Sequence, residues 1–156
     1  MKEPFNGKQE LKELDNYYPN SDLSHIYLRH RDQIIELLKT IELVWSNKKL
    51  ESHNFEILYE GLKSSWQVVY FDVLGKEINS MIGVIEGIEQ LLMAGINDSK
   101  WKVRFNTLVI MKRFKHEEIK KNIIEIALND KSKKVRKMAL DIKKYWKTGS
   151  NKITIS

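Results

Sequence analysis

Residues 97–110 read Asn-Asp-Ser-Lys-Trp-Lys-Val-Arg-Phe-Asn-Thr-Leu-Val-Ile, and residues 129–142 read Asn-Asp-Lys-Ser-Lys-Lys-Val-Arg-Lys-Met-Ala-Leu-Asp-Ile. Laying position n over n+32 puts Asn97-Asp98 on Asn129-Asp130, Val103-Arg104 on Val135-Arg136, Leu108 on Leu140 and Ile110 on Ile142. Both copies follow one plan: an acid in a tight turn, an apolar residue and an arginine at the head of a helix, then a stripe of small and apolar residues. Self-similarity at such a period is the mark of a chain built from stacked supersecondary units. Each unit carries more apolar surface than it can bury alone, so neighbours must cover one another. A fainter copy lies upstream at an offset of 34, where Val69, Phe71 and Leu74 fall on Val103, Phe105 and Leu108.

Working outward, apolar residues recur at helical steps along most of the chain, and no segment sustains strict alternation, so the fold class is all-α. Leu23, Ile26, Tyr27, Ile34, Leu37, Leu38, Ile41, Val44 and Trp45 predict one long helix. Ser52 caps a shorter segment that ends near Gly61. A third helix carries Trp66, Val69, Val73 and Leu74 and closes near Gly75 to Asn79. Met81 to Ala94 reads as a fourth, with Gly83 and Gly87 inside it at a cost of about 1 kcal/mol each. Helices over Lys100 to Phe114, Glu117 to Leu128 and Lys133 to Trp146 follow. In the last of these Val135, Met138, Ala139, Ile142, Tyr145 and Trp146 are expected to face inward. Residues 1–20 read as a polar N-terminal arm, 21–147 as one repeat domain and 148–156 as a flexible tail.

The Asp in the turn and the Val-Arg opening the second helix resemble the HEAT-repeat, armadillo-type family of α-helical solenoids. The likeness is clear over residues 81–146, looser over 51–76, and covers 1–50 only as an extra helix. It implies a short right-handed α-solenoid of about three HEAT-like helical hairpins preceded by one long helix. It also implies that Arg104 and Arg136 pair with turn acids of adjacent repeats, and that the second helix of each hairpin lines a concave face. Independently of the resemblance, Asp98 and Asp130 can accept backbone N–H groups at the start of the following helix and complement its dipole.

Composition narrows the function. With 156 residues the chain is one domain's worth of sequence, and zero cysteine excludes disulfide frameworks, Cys-based zinc sites and thiol nucleophiles. No secretory leader and no run of 18 apolar residues is present, so a cytoplasmic protein that is not an integral membrane protein is expected. Four histidines are scattered. His25 and His30 stand about 140° apart on a helix and cannot chelate from one face. There is no HExxH, no Walker loop, no Rossmann glycine pattern and no nucleophile elbow. Glu56/Glu60 and Glu86/Glu89 are carboxylate pairs whose surroundings do not differ as an acid and a base require. Neither a catalytic residue nor a metal or cofactor site is expected, and the reading is non-enzymatic.

Charge is divided unevenly. Residues 1–97 hold 10 Lys+Arg against 15 Asp+Glu, whereas residues 98–148 hold 16 against 6. A block of that sign favours an anionic partner, although lysine also serves simply to keep helices solvated. On the helix from Lys100, residues expected to turn away from the core are Lys102, Asn106 and Arg113. On the helix from Lys133 they are Lys133, Lys134, Lys137, Lys144 and Lys147. Trp66 and Trp101, near the heads of two such helices, can anchor a protein or stack on bases, or can be buried between repeats. The first functional reading is a non-catalytic HEAT-like scaffold, an adaptor or immunity-type protein, gripping an acidic protein surface through a basic concave face. The alternative is a nucleic-acid-binding module resembling the HEAT-like DNA glycosylases. No motif carries their catalytic Asp onto this chain, and Asp72 near Trp66 stands in no such context. Partner identity and oligomeric state lie beyond these residues.

Overall fold

A computed structural model describes residues 5–63, 68–112 and 117–155, and the side chains of 5–63, 73–112 and 118–145. The described residues form nine α-helices and no strand: α1 Gly7–Tyr17, α2 Ser24–Arg29, α3 Arg31–Asn47, α4 Ser52–Lys63, α5 Val68–Met81, α6 Ile88–Ile96, α7 Trp101–Met111, α8 Glu117–Leu128 and α9 Lys133–Ile155. The all-α class expected from the periodicity is therefore observed. No helix of the described residues is long and apolar enough to cross a membrane. The chain divides into two compact units, residues 1–88 and 89–156.

In the first unit α3 is the central element, with α1, α2, α4 and α5 packed against it. Its stripe of Ile34, Leu37, Leu38, Ile41 and Val44 is almost wholly buried, and Leu58, Leu62, Leu74 and Ile78 meet the same core. Burying side chains of this size stabilises by about 1.5–3 kcal/mol each.

Four local expectations are corrected here. The stretch 1–20, read as a polar arm, contains α1. Asn6 starts it, its side chain accepting the Gln9 N–H at 3.1 Å. Gly7 then approaches α3 so closely that its N–H reaches Glu42 Oε2 at 3.2 Å, and a Cβ there would lie 2.8 Å from that oxygen. Polar helix formers without a wide apolar stripe conceal such an element from periodicity.

The single long helix is two. His30 leaves the helical region, donates its N–H to the carbonyls of Ile26 and Tyr27, and accepts the N–H of Ile34. Apolar spacing continues across the break, so the sequence does not announce it.

Third, α5, expected to close near Gly75 to Asn79, continues through that stretch to Met81, which lets the buried Glu77 carboxylate accept the Trp45 indole N–H at 3.0 Å. Fourth, residues 82–87 are a turn and the helix begins only at Ile88. Gly83 and Gly87 have φ of 82° and 102°, a conformation glycine adopts without steric cost. The turn is tied to the loop after α3: Leu50 donates its N–H to the Glu86 carbonyl at 2.9 Å, and Leu50 Cβ lies 3.0 Å from where a side chain on Gly87 would begin.

Helices α1 to α3 are clasped by one polar cluster. Asp15 receives both Nε and Nη2 of Arg31, at 2.9 and 2.7 Å, and the Tyr27 hydroxyl at 2.6 Å. The Tyr27 side chain is fully buried and stacks on Tyr18 at 5.3 Å. The Arg31 hydrogen bonds outweigh the effect of burial and, with Tyr27, lower the Asp15 carboxyl from 3.8 to about 2. A depressed carboxyl contributes its stability fully above the ordinary carboxylate range and loses it as pH falls through the folded value. Asp15→Asn should therefore melt below the native protein at pH 7, and the gap should shrink between pH 4 and 2. Because the Asp15 and Arg31 side chains are 34% and 37% exposed, solvent screening holds the expected difference to about 1 kcal/mol. Melting curves over that pH range are the check; a gap that does not change with acid would show that Asp15 acts by shape and not by charge.

In the second unit α7 lies against both α8 and α9. Its core holds Val103, Leu108, Ile110, Met111, Ile123, Ile124, Ala127, Val135, Ala139 and Ile142, all 4% exposed or less. The helix expected to stop at Trp146 continues to Ile155, so the residues read as a tail up to that point are helical. Tyr145, expected inward, is 56% exposed.

Candidate functional site

The thirty-two-residue echo is physical as well as textual. Asp98 accepts the Lys100 N–H through Oδ1 at 2.9 Å, and Asp130 accepts the Ser132 N–H through Oδ1 at 2.8 Å. The amide of Asn97 bonds back to the Met93 carbonyl, and that of Asn129 to the Glu125 carbonyl. Arg104 Nη1 donates to the Asp98 carbonyl at 2.8 Å, and Arg136 Nη1 to the Asp130 carbonyl at 2.7 Å. In each copy the side chains of one Asp and one Arg thus satisfy backbone groups that a helix terminus otherwise leaves open.

The two turns are then joined. Arg104 Nε and Nη2 grip the two carboxylate oxygens of Asp130 at 2.7 and 3.0 Å, with side chains only 6% and 7% exposed. A two-point fork of this kind is among the strongest protein hydrogen bonds. Burial by itself pushes the Asp130 carboxyl up; the Arg104 fork, the Ser132 N–H and the nearby Lys131 charge together bring it below the ordinary value. The acid therefore stays ionised where it is buried. The family resemblance implies such a pairing for both Arg104 and Arg136; among the described residues it is seen for Arg104, whereas Arg136 bonds the Asp130 carbonyl.

Fixing α7 against α9 creates the candidate surface. Seven of the eleven residues of α7 are buried, leaving Trp101, Phe105 and Val109 half-covered and Lys102 exposed. The Trp101 and Phe105 rings meet edge to face at 6.1 Å, and Lys134 Nζ from α9 stands 4.9 Å from the Trp101 ring centroid. Exposed Lys133, Lys137 and Lys144 continue along α9. An ammonium over an indole is attracted by the ring quadrupole, by about 0.5–1 kcal/mol at exposed sites.

Of the residues singled out from sequence, the structure brings Trp101 and Lys134 into contact and leaves Lys102, Lys133, Lys137 and Lys144 exposed. Asn106 is a correction: it is buried, because α7 covers a wider arc than a single apolar stripe suggests, extending to Arg104, Asn106 and Thr107. Trp66 and Arg113, and the side chain of Lys147, lie outside what the structure describes. Phe105 was missed; its place four residues after Trp101, on the same helical face, is the signal that could have found it.

A groove of about 980 Å³ lies within residues 1–88, lined by α1, α3 and α5. Its acids have partners: Glu42 takes the Gly7 N–H, Glu77 takes the Trp45 indole, and Glu10 lies 3.7 Å from Lys76 Nζ. Among the described residues no group of three His, Cys, Asp or Glu side chains is placed to hold a metal ion. Comparison with protein-family models, with curated proteins and with solved structures finds no match for the chain.

Proposed function

We propose that this chain is a non-catalytic interaction scaffold, HEAT-like in its second unit, which binds an acidic protein surface through the basic face of α7 and α9. In this reading α6 with α7 and α8 with α9 are two hairpins of a short solenoid. The observation that carries it is the Lys134–Trp101 pairing within a field of exposed lysines, on helices whose mutual position is set by the buried Arg104–Asp130 fork. A half-covered aromatic pair with Lys134 against it and further exposed lysines along α9 offers an apolar anchor beside a charged face, the usual anatomy of a protein interface. The positive field raises encounter rates with an acidic partner.

The test is charge reversal. Lys134→Glu, Lys137→Glu and Lys144→Glu together should reduce capture of the bound protein by at least about tenfold, as read by quantitative mass spectrometry of affinity-purified complexes. The circular dichroism spectrum should be unchanged, since all three side chains are exposed. Undiminished capture would refute the proposal. Titration with duplex and single-stranded DNA separates the alternative: tight binding that weakens steeply with salt, through counterion release, would favour a nucleic-acid module.

A further inference from the structure

The repeat also shows what is missing from one of its own surfaces. On α7, Arg104, Leu108 and Met111 form one side of the helix and are 5%, 0% and 0% exposed, because α8 and α9 lie there and Asp130 of their connecting turn fills the Arg104 fork. The same places on α9, thirty-two residues on, are Arg136, Leu140 and Lys143. Arg136 and Lys143 are only half-buried, and Leu140 is 57% exposed. Arg136 Nη1 is anchored on the Asp130 carbonyl as Arg104 Nη1 is on the Asp98 carbonyl, so each guanidinium is held at one nitrogen by the backbone of its own turn. Yet the two nitrogens that in Arg104 hold a carboxylate meet no acceptor among the described residues.

We infer that the Arg136–Leu140 side of α9 is a docking site for an acidic protein, which places the carboxylate of a helix–helix turn in the Arg136 fork and an apolar side chain on Leu140. This rests on the scaffold reading above and moves the anchoring contact from the lysine strip to the adjoining side of the helix. Two observations choose the occupant. The internal counterpart shows the geometry that satisfies such an arginine: two oxygens of one carboxylate at 2.7 and 3.0 Å, with a leucine buried beside them. Lys143 is paired with Glu125 at 3.6 Å and Asp141 follows Leu140, but Lys133, Lys137 and Lys144 are exposed on the neighbouring arc of α9 and give that arc an excess of positive charge that attracts an acidic surface. Phosphate oxygens would satisfy the fork but would leave Leu140 without the cover that Leu108, its counterpart, has in the other copy.

The experiment places a photo-crosslinking amino acid at position 140 of the full chain, and in a second preparation at position 102, and irradiates both in cells. The expected result is an adduct at 140 to another protein, mapping within a few residues of an Asp or Glu between two helices. Its yield should fall at least about tenfold in both Arg136→Gln and Arg136→Lys, since one truncated charge-assisted bond is worth that factor or more. The lysine variant keeps a cation on the Asp130 carbonyl and serves if the glutamine variant unfolds. Adducts to a second copy of this chain, to nucleic acid, or to a protein segment without an acid would overturn the inference, as would a yield indifferent to Arg136. An adduct at 102 alone would overturn it while leaving the scaffold reading intact. No adduct at either position would defeat both.

Discussion

Replacing Arg104 with Ala should lower the stability of residues 89–156 by about 3–5 kcal/mol, the range for breaking one side of a buried ion pair. Three bonds vanish together: two to the Asp130 carboxylate and one to the Asp98 carbonyl. The larger share of the cost falls on what is left behind, because an aspartate side chain 7% exposed loses the cation that kept it ionised. Burial then acts on that carboxyl with less opposition and raises it. The deficit relative to the native protein should therefore narrow in acid, where the stranded carboxyl is neutral. Chemical denaturation at several pH values measures both effects. The double variant Arg104→Met with Asp130→Leu should be much less harmed than the sum of the two single changes, since neither charge is stranded. Arg136→Ala, which loses one described bond from a half-buried side chain, should cost only about 1 kcal/mol. Equal losses at 104 and 136 would contradict the asymmetry between the two copies.

The second large effect separates two leucines that the sequence makes equivalent. Leu108→Ala should cost about 2–5 kcal/mol, the transfer free energy of the lost methyl groups plus the cavity left at a site that is 0% exposed. Leu140→Ala, at the same place in the next copy but 57% exposed, should fall within about 0.5 kcal/mol of the native chain. Thermal melts of the two variants decide the matter. A costly Leu140→Ala in the isolated protein would mean that this side of α9 is already covered, and the docking site proposed there would be lost.

The places where sequence reasoning succeeded and failed have distinct physical causes. Helices α4 and α8 lie close to where apolar steps place them, because Phe55, Leu58 and Leu62 and the isoleucines at 119, 123 and 124 follow nearest-neighbour rules; Ser52, expected to cap α4, is instead its first residue, and the helix passes Gly61 to reach Lys63. Gly83 and Gly87 misled, since glycine spacing looks alike in a close-packed helix and in a turn; a φ of 102° beside Leu50 is a tertiary fact. His30 carries no breaker signal, so the division between α2 and α3 was invisible. Asn106 looked like a surface polar residue, and only the packing of α7 against two helices buries it.

What the amino-acid order alone determined is the all-helical class, the basic character of the C-terminal part and the repeated Asp–Arg turn, because each depends on residues a few positions apart or on counting charges. What only the tertiary structure decided is which copies of the repeat are covered. Arg104 and Arg136 each follow a valine and hold the same place in their copies, as Leu108 and Leu140 do, yet one pair is buried and the other meets solvent. Burial is a property of what lies across the helix, twenty-six residues away at Asp130 in one copy and at no described residue in the other. The sequence marks that difference in the exchange of Phe105, Val109 and Met111 for Lys137, Asp141 and Lys143, and does not say what covers the first copy.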